Sequence, residues 1–164
     1  MALDVFLMKK LKMDNKRWMI LFAVLALMVT AFIWGNSLKS NEASREQSKT
    51  LTESIKPTVD PDNKIDDFDI EIFLRKSAHI LEFFALGFCV AGFTVNLGRL
   101  KEERYLSLPL LIVLLVAVID EYIQHFTQRG TAVTDVVLDF GGAVLGLALV
   151  ALFCLLRKKW SCKA

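Results

Sequence analysis

Cysteine is scarce in this sequence and poorly placed for cross-linking. Cys89 and Cys154 lie inside apolar runs and Cys162 in the tail, with none in the long polar connection, so no disulfide framework is expected. Charge of one sign is also lacking: a formal net charge of +2 gives no electrostatic case for nucleic acid, and no nucleic-acid motif is present. There is no G-x-S-x-G element, and no cysteine falls among the clustered polar residues, which leaves no recognisable nucleophile. His79 and His125 are the only histidines. Their surroundings, H-x-x-E and D-E-x-x-Q-H, match no zinc or di-iron spacing, so no metal and no cofactor are expected. No internal repeat is visible. The N-terminal apolar run lacks a small-residue cleavage site and reads as a retained first span rather than a signal peptide.

What remains is apolar: 54% of the 164 residues, gathered in long uncharged runs. Such a chain closes its core with lipid, which predicts an all-α polytopic membrane protein with four transmembrane helices. The spans are expected at about Trp18 to Leu38, Ile72 to Leu97, Leu106 to Phe126 and Asp135 to Leu156. They form one membrane domain over residues 18–156, between a basic N-terminus, 1–17, and a basic tail, 157–164. Lys9, Lys10, Lys12, Lys16 and Arg17 precede the first span. Arg99, Lys101 and Arg104 fill the second loop, and Arg157, Lys158, Lys159 and Lys163 follow the last span. The preference of lysine and arginine for the cytoplasmic side then places both termini inside, in the plasma membrane. The connection at about 39–71 carries nine Asp or Glu against five Lys or Arg between Ser37 and Glu71, which suits the outer face. A short amphipathic helix is expected there around Glu42 to Ile55. Pro109 falls in the first turn of span three, a tolerated position, and Thr134 is the expected N-cap of span four.

The third span departs from the apolar pattern at Asp120, Glu121, Gln124 and His125. An ionisable group costs at least a few kcal/mol in the hydrocarbon layer, so these side chains are expected to face protein or water. Counting along the helices at about 1.5 Å per residue puts Asp120 and Glu121 roughly 20 Å from the inner end of span three. The same count puts His79 and Glu82 roughly 10 to 15 Å below the outer end of span two, and Asp139 about one turn below Asp135. Three helices therefore place ionisable groups in one layer of the outer half. His79 with Glu82, Glu121 with Gln124, and Asp135 with Asp139 have the spacing of shared helix faces. Asp120 and Glu121 diverge by about 100°, so one is expected to face the cavity centre and the other a neighbouring helix. Gly142 and Gly146, at four-residue steps from Asp139, predict close approach of another helix backbone.

Taken in order, these residues resemble the VanZ family. The resemblance is carried by Arg75-Lys76-Ser77-Ala78-His79-Ile80-Leu81-Glu82-Phe83-Phe84 with Leu86-Gly87, by Asp120-Glu121-Tyr122-Ile123-Gln124 with Phe126, and by Arg129, Asp135, Asp139 and Gly142. Asn36-Ser37, Ser40, Ser44 and Ser48 are similar to the family's first outer segment. Thr127-Gln128 stands where VanZ-like proteins commonly have Pro-Gly before the arginine, and the turn is one residue shorter. The resemblance implies a bacterial envelope protein associated with tolerance of teicoplanin, other glycopeptides and lipoglycopeptides.

Three readings stay open. In the first, Arg75, Lys76, His79, Glu82, Asp120, Glu121, Gln124, Arg129, Asp135 and Asp139 line a ligand pocket at the outer leaflet. It would take an envelope lipid, a wall precursor or a glycopeptide antibiotic, with Arg129 suited to phosphate or carboxylate. In the second, Glu82 or Glu121 is the base and His79 its partner in a membrane-embedded hydrolase or transferase acting on a lipid-linked substrate. The third is a small proton-linked transporter. Against these stand blander roles. His79 satisfies Glu82 or a carbonyl, the carboxylates form a structural network, Arg129 pairs with Asp135 or Glu121, and Arg75 and Lys76 anchor at headgroups.

Overall fold

The computed structural model describes residues 2–62, 64–127 and 132–161. The apolar runs become helices because a backbone in lipid has no water to satisfy its N–H and C=O groups, and a helix satisfies them internally. They are α1 (Ala2–Ser37), α3 (Asp67–Lys101), α4 (Ser107–Phe126) and α5 (Val133–Ser161), with α2 (Asn41–Val59) in the polar connection. No strand occurs among the described residues. Segments Leu11–Ser37, Asp67–Lys101, Ser107–Phe126 and Val133–Arg157 are long and apolar enough to cross a membrane. The chain is a four-span helical membrane protein.

Burial runs opposite to that of a water-soluble bundle. Leu27, Phe73, Leu111, Leu145 and Phe153 are largely exposed, while Asp120, Glu121, Gln124 and Asp139 are buried. Lipid solvates the first group, and only neighbouring helices can satisfy the second. α3 is the hub, packing most extensively on α5 and α1 and also touching α2 and α4. Its Phe83, Leu86 and Val90 meet Ile33 of α1, Val113, Val116 and Ala117 of α4, and Ala143 of α5 in one core. At 35 residues α3 is about 52 Å long, well beyond a hydrocarbon layer of about 30 Å, so its acidic first turns project past the apolar layer.

The ends of the helices differ from the sequence expectation for local reasons. α3 extends past Ile72 and Leu97 because the Asp66 carboxylate caps it, accepting the Phe68 N–H at 3.1 Å. At the other end Glu102, at φ 59°, turns into the left-handed region. α5 begins at Val133, so Thr134 lies inside the first turn and is not the cap. Ala132 supplies the first helical acceptor instead, taking the Asp135 N–H at 2.8 Å. α2 runs through Pro57 to Val59, four residues beyond Ile55, and is closed by Asp60, whose N–H donates to the Lys56 carbonyl at 2.8 Å. Cys162 and Lys163 lie outside the described residues.

Asp60 closes α2 and sets the path to α3. Its carboxylate accepts the Lys64 N–H at 2.9 Å and the Ile65 N–H at 2.8 Å. The Ile65 bond, then the Lys64 bond, holds the carboxyl below its ordinary range. A depressed folded pKa contributes stability that is complete above the unfolded value of about 3.9 and is lost as pH falls through the folded one. Hydrogen-exchange protection of the Ile65 amide, corrected for intrinsic rate, is therefore expected to be constant above about pH 5 and to fall below about pH 4. Protection in Asp60→Ala is expected to be low throughout. A wild-type amide whose protection does not change down to about pH 2 would contradict this account.

Candidate functional site

Four helices bring polar side chains to one end of the bundle. α3 carries Arg75, Lys76, His79 and Glu82 along one face, since these positions are three or four residues apart. α4 contributes Asp120, Glu121 and Gln124, α5 Asp135 and Asp139, and the last turn of α1 Asn36 and Ser37.

The carboxylates go to different partners. Asp120, with no exposed surface, accepts the Gln124 Nε2 at 2.7 Å, and the same amide reaches Ser37 Oγ at 3.3 Å. Thr127 Oγ1 donates to the Ser37 carbonyl at 3.1 Å, so α4 is tied to the end of α1 twice. Glu121 turns away from Asp120, as their angular offset requires. Its Oε1 accepts the Ala132 N–H at 2.7 Å, joining the end of α4 to the entry of α5. Glu82 accepts the Asn36 Nδ2 at 3.0 Å on the α1 side of α3. Lys76 Nζ and Asp135 Oδ1 form an ion pair at 3.2 Å between α3 and α5, both partly exposed. His79 Nδ1 lies 4.0 Å from Asp120 Oδ2, too far for a hydrogen bond. Ligating atoms of His79, Asp120 and Asp139 all lie within 4.8 Å of one another. His125 is exposed, with its ring 5.8 Å from that of Phe126, and takes no part in the cluster.

Two cavities meet at His79. One, of about 60 Å³, is lined by Arg75, Lys76, His79, Gln124, Asp135, Leu138 and Asp139. The other, of about 330 Å³, lies between α3, α2 and the end of α1, with Asn36, Lys39, Ser48, Leu51, Leu81 and Glu82 on its wall. Arg75 lines both, and it makes no ion pair among the described residues. Arg129 falls outside the described residues.

Of the ten residues singled out from sequence, nine are described, and all nine lie at this end of the bundle. They are not one ring. His79, Asp120, Gln124, Asp135 and Asp139 belong to the α3–α4–α5 side, Glu82 to the α1–α2 side, and Glu121 to the turn. Asn36, Ser37, Lys39 and Ser48 were not among the ten. For Asn36, Ser37 and Ser48 the only signal was the similarity to the family's first outer segment, which does not show what these residues meet, and Lys39 carried none.

A four-span helical bundle with buried carboxyl groups from α4 and α5, and the half-buried His79 and Glu82 of α3, gathered near one end is a membrane protein with a polar cluster between its helices. The model of the VanZ/LLP1 family matches residues 19–155, and the chain belongs to that family. A search of curated proteins found no match, and a search of solved structures found none.

Proposed function

We propose that this VanZ-family protein binds an anionic, lipid-linked component of the bacterial envelope at the outer leaflet, and through it acts in tolerance of teicoplanin-type antibiotics. The observation that carries the reading is Arg75, which faces both cavities and makes no ion pair among the described residues. A guanidinium can hold a phosphate through two parallel hydrogen bonds, and it does so most strongly where water is scarce. The larger cavity suits a headgroup with a chain attached: Asn36, Lys39, Ser44, Gln47 and Ser48 offer donors and acceptors, while Leu51, Leu74 and Leu81 offer apolar contact. Its volume of about 330 Å³ is at the lower end for a drug-sized ligand, so a lipid or wall-precursor headgroup fits and a whole glycopeptide does not. With the basic loops inside, this end of the bundle faces outward, where such precursors are displayed.

The test is binding of a short-chain prenyl phosphate to the full-length protein in nanodiscs, beside the matching prenol. Wild type is expected to prefer the phosphate. Arg75→Ala is expected to weaken phosphate binding by about tenfold or more, the equivalent of a charge-assisted hydrogen bond of about 1.5–3 kcal/mol, with Arg75→Lys in between. Equal affinity for prenol and prenyl phosphate in wild type would remove the reading. Susceptibility to teicoplanin in a Gram-positive host expressing wild type or Arg75→Ala then asks whether binding and tolerance fall together.

A further inference from the structure

His79 from α3, Asp120 from α4 and Asp139 from α5 come together in space although no sequence spacing joins them. Each offers one ligand atom, and the three atoms lie within 4.8 Å of one another. A second, separate observation concerns Asp139. It is only 3% exposed, it lines the smaller cavity, and it makes no hydrogen bond or ion pair among the described residues. A carboxylate in such a place is expensive unless a cation offsets it. Its neighbours Asp120 and Asp135, which share the cluster or the cavity with it, are carboxyl groups too and supply no cation to offset it. The nearby Lys76 is already paired with Asp135.

We propose that His79, Asp120 and Asp139 form a binding site for a divalent first-row transition metal. One imidazole nitrogen and two carboxylate oxygens, with no thiolate, select manganese, iron or zinc over copper(I) on one side and calcium on the other. Metal–ligand bonds of about 2.0–2.2 Å set ligand atoms roughly 3.4 Å apart, so side-chain rotations that draw the atoms in by up to about 1.4 Å complete the site. Gln124, donating to Asp120 at 2.7 Å, orients that carboxylate as outer partners of metal ligands do. The cavity of about 60 Å³ beside Asp139 leaves a coordination position open for a water or a ligand oxygen. The metal site shares the polar end of the bundle with the lipid reading but does not depend on it, because the probe here is metal alone.

The experiment uses full-length protein purified without a polyhistidine tag, stripped with chelator, and dialysed against manganese or zinc chloride. Wild type is expected to retain about one metal per chain. Asp139→Asn and His79→Gln are each expected to weaken binding by about tenfold or more, and His125→Gln to leave it unchanged. With manganese bound, electron spin-echo modulation is expected to show one imidazole nitrogen. In the His125→Gln background His79 is the sole histidine, so ¹⁵N-histidine labelling assigns that nitrogen without altering the cluster, even if the other variants fail to fold. No metal on wild type at micromolar concentration, no nitrogen modulation, or full affinity in a folded Asp139→Asn protein would each overturn the proposal.

Discussion

Alanine at Gly142 is expected to destabilise the bundle, while alanine one residue earlier, at Gly141, is expected to leave it unchanged or stabilise it. A Cβ built on Gly142 would stand 2.6 Å from the Ile80 carbonyl oxygen and 3.2 Å from the Ile80 Cα, whereas one on Gly141 meets nothing within 4 Å. The obstacle at Gly142 is backbone, so the helices must part. The same contact continues along α3 and α5: a Cβ on Gly87 would lie 2.0 Å from the Ala143 carbonyl oxygen, and one on Gly146 would lie 2.2 Å from that of Phe84. Small residues at four-residue steps are how helices without a hydrophobic driving force between them gain contact in lipid. Overpacking of this kind costs about 1–3 kcal/mol, and the closest approach, at Gly87, is expected to lie at or above the upper end. Gly141→Ala gains up to about 1 kcal/mol from helix propensity. Reversible unfolding in mixed detergent micelles ranks the variants. Equal effects at Gly141 and Gly142 would mean that α3 and α5 are not in backbone contact. The consequence reaches the site, since Gly142 lies one turn from Asp139, and Ile80 adjoins His79. A helix pair forced apart there also separates the proposed metal ligands.

The second large effect is expected at Glu121, where alanine and glutamine should differ. Glu121→Ala removes the acceptor for the Ala132 N–H, a 2.7 Å bond from a carboxylate that is itself buried. Losing a hydrogen bond to a charged group costs about 1.5–3 kcal/mol, and the turn between α4 and α5 loses its anchor. Glu121→Gln keeps a carbonyl oxygen in the same place and is expected to retain most of that stability. Hydrogen-exchange protection at Ala132 reports the loss directly. The pair also separates two roles for the side chain: an acid or base fails equally as alanine or glutamine, whereas an anchor survives as glutamine. If antibiotic tolerance at normal expression is lost in both variants while Ala132 stays protected in Glu121→Gln, the proton on this carboxyl matters and the anchoring account is insufficient.

Both predictions concern features that sequence displayed only in part. Gly142 and Gly146 could be assigned to a close helix contact from their spacing to Asp139, but Gly87 as the facing residue on α3 could not. Asp120 and Glu121 could be assigned to different directions from the 100° step of a helix, but the Ala132 N–H as the destination of Glu121 could not. The outer segment shows the same division. Its helix was visible around Glu42 to Ile55, yet it continues through Pro57 to Val59 and closes at Asp60, whose carboxylate accepts the Lys64 and Ile65 N–H groups.

Taken alone, the amino-acid order determined that four apolar runs must be helices, that the polar groups fall in one layer, and which residues share a helix face, because hydrophobic length, rise per residue and periodicity are properties of a single segment. Only the tertiary structure decided how those faces are rotated toward one another. It split the layer into two cavities at His79, joined Lys76 to Asp135 and Asn36 to Glu82, and brought side-chain atoms of His79, Asp120 and Asp139 within 4.8 Å of one another. The physical reason is that the approach of α3 to α5 is set where their backbones touch at Gly87, Gly142 and Gly146, a contact between segments more than fifty residues apart that no periodicity within either helix encodes.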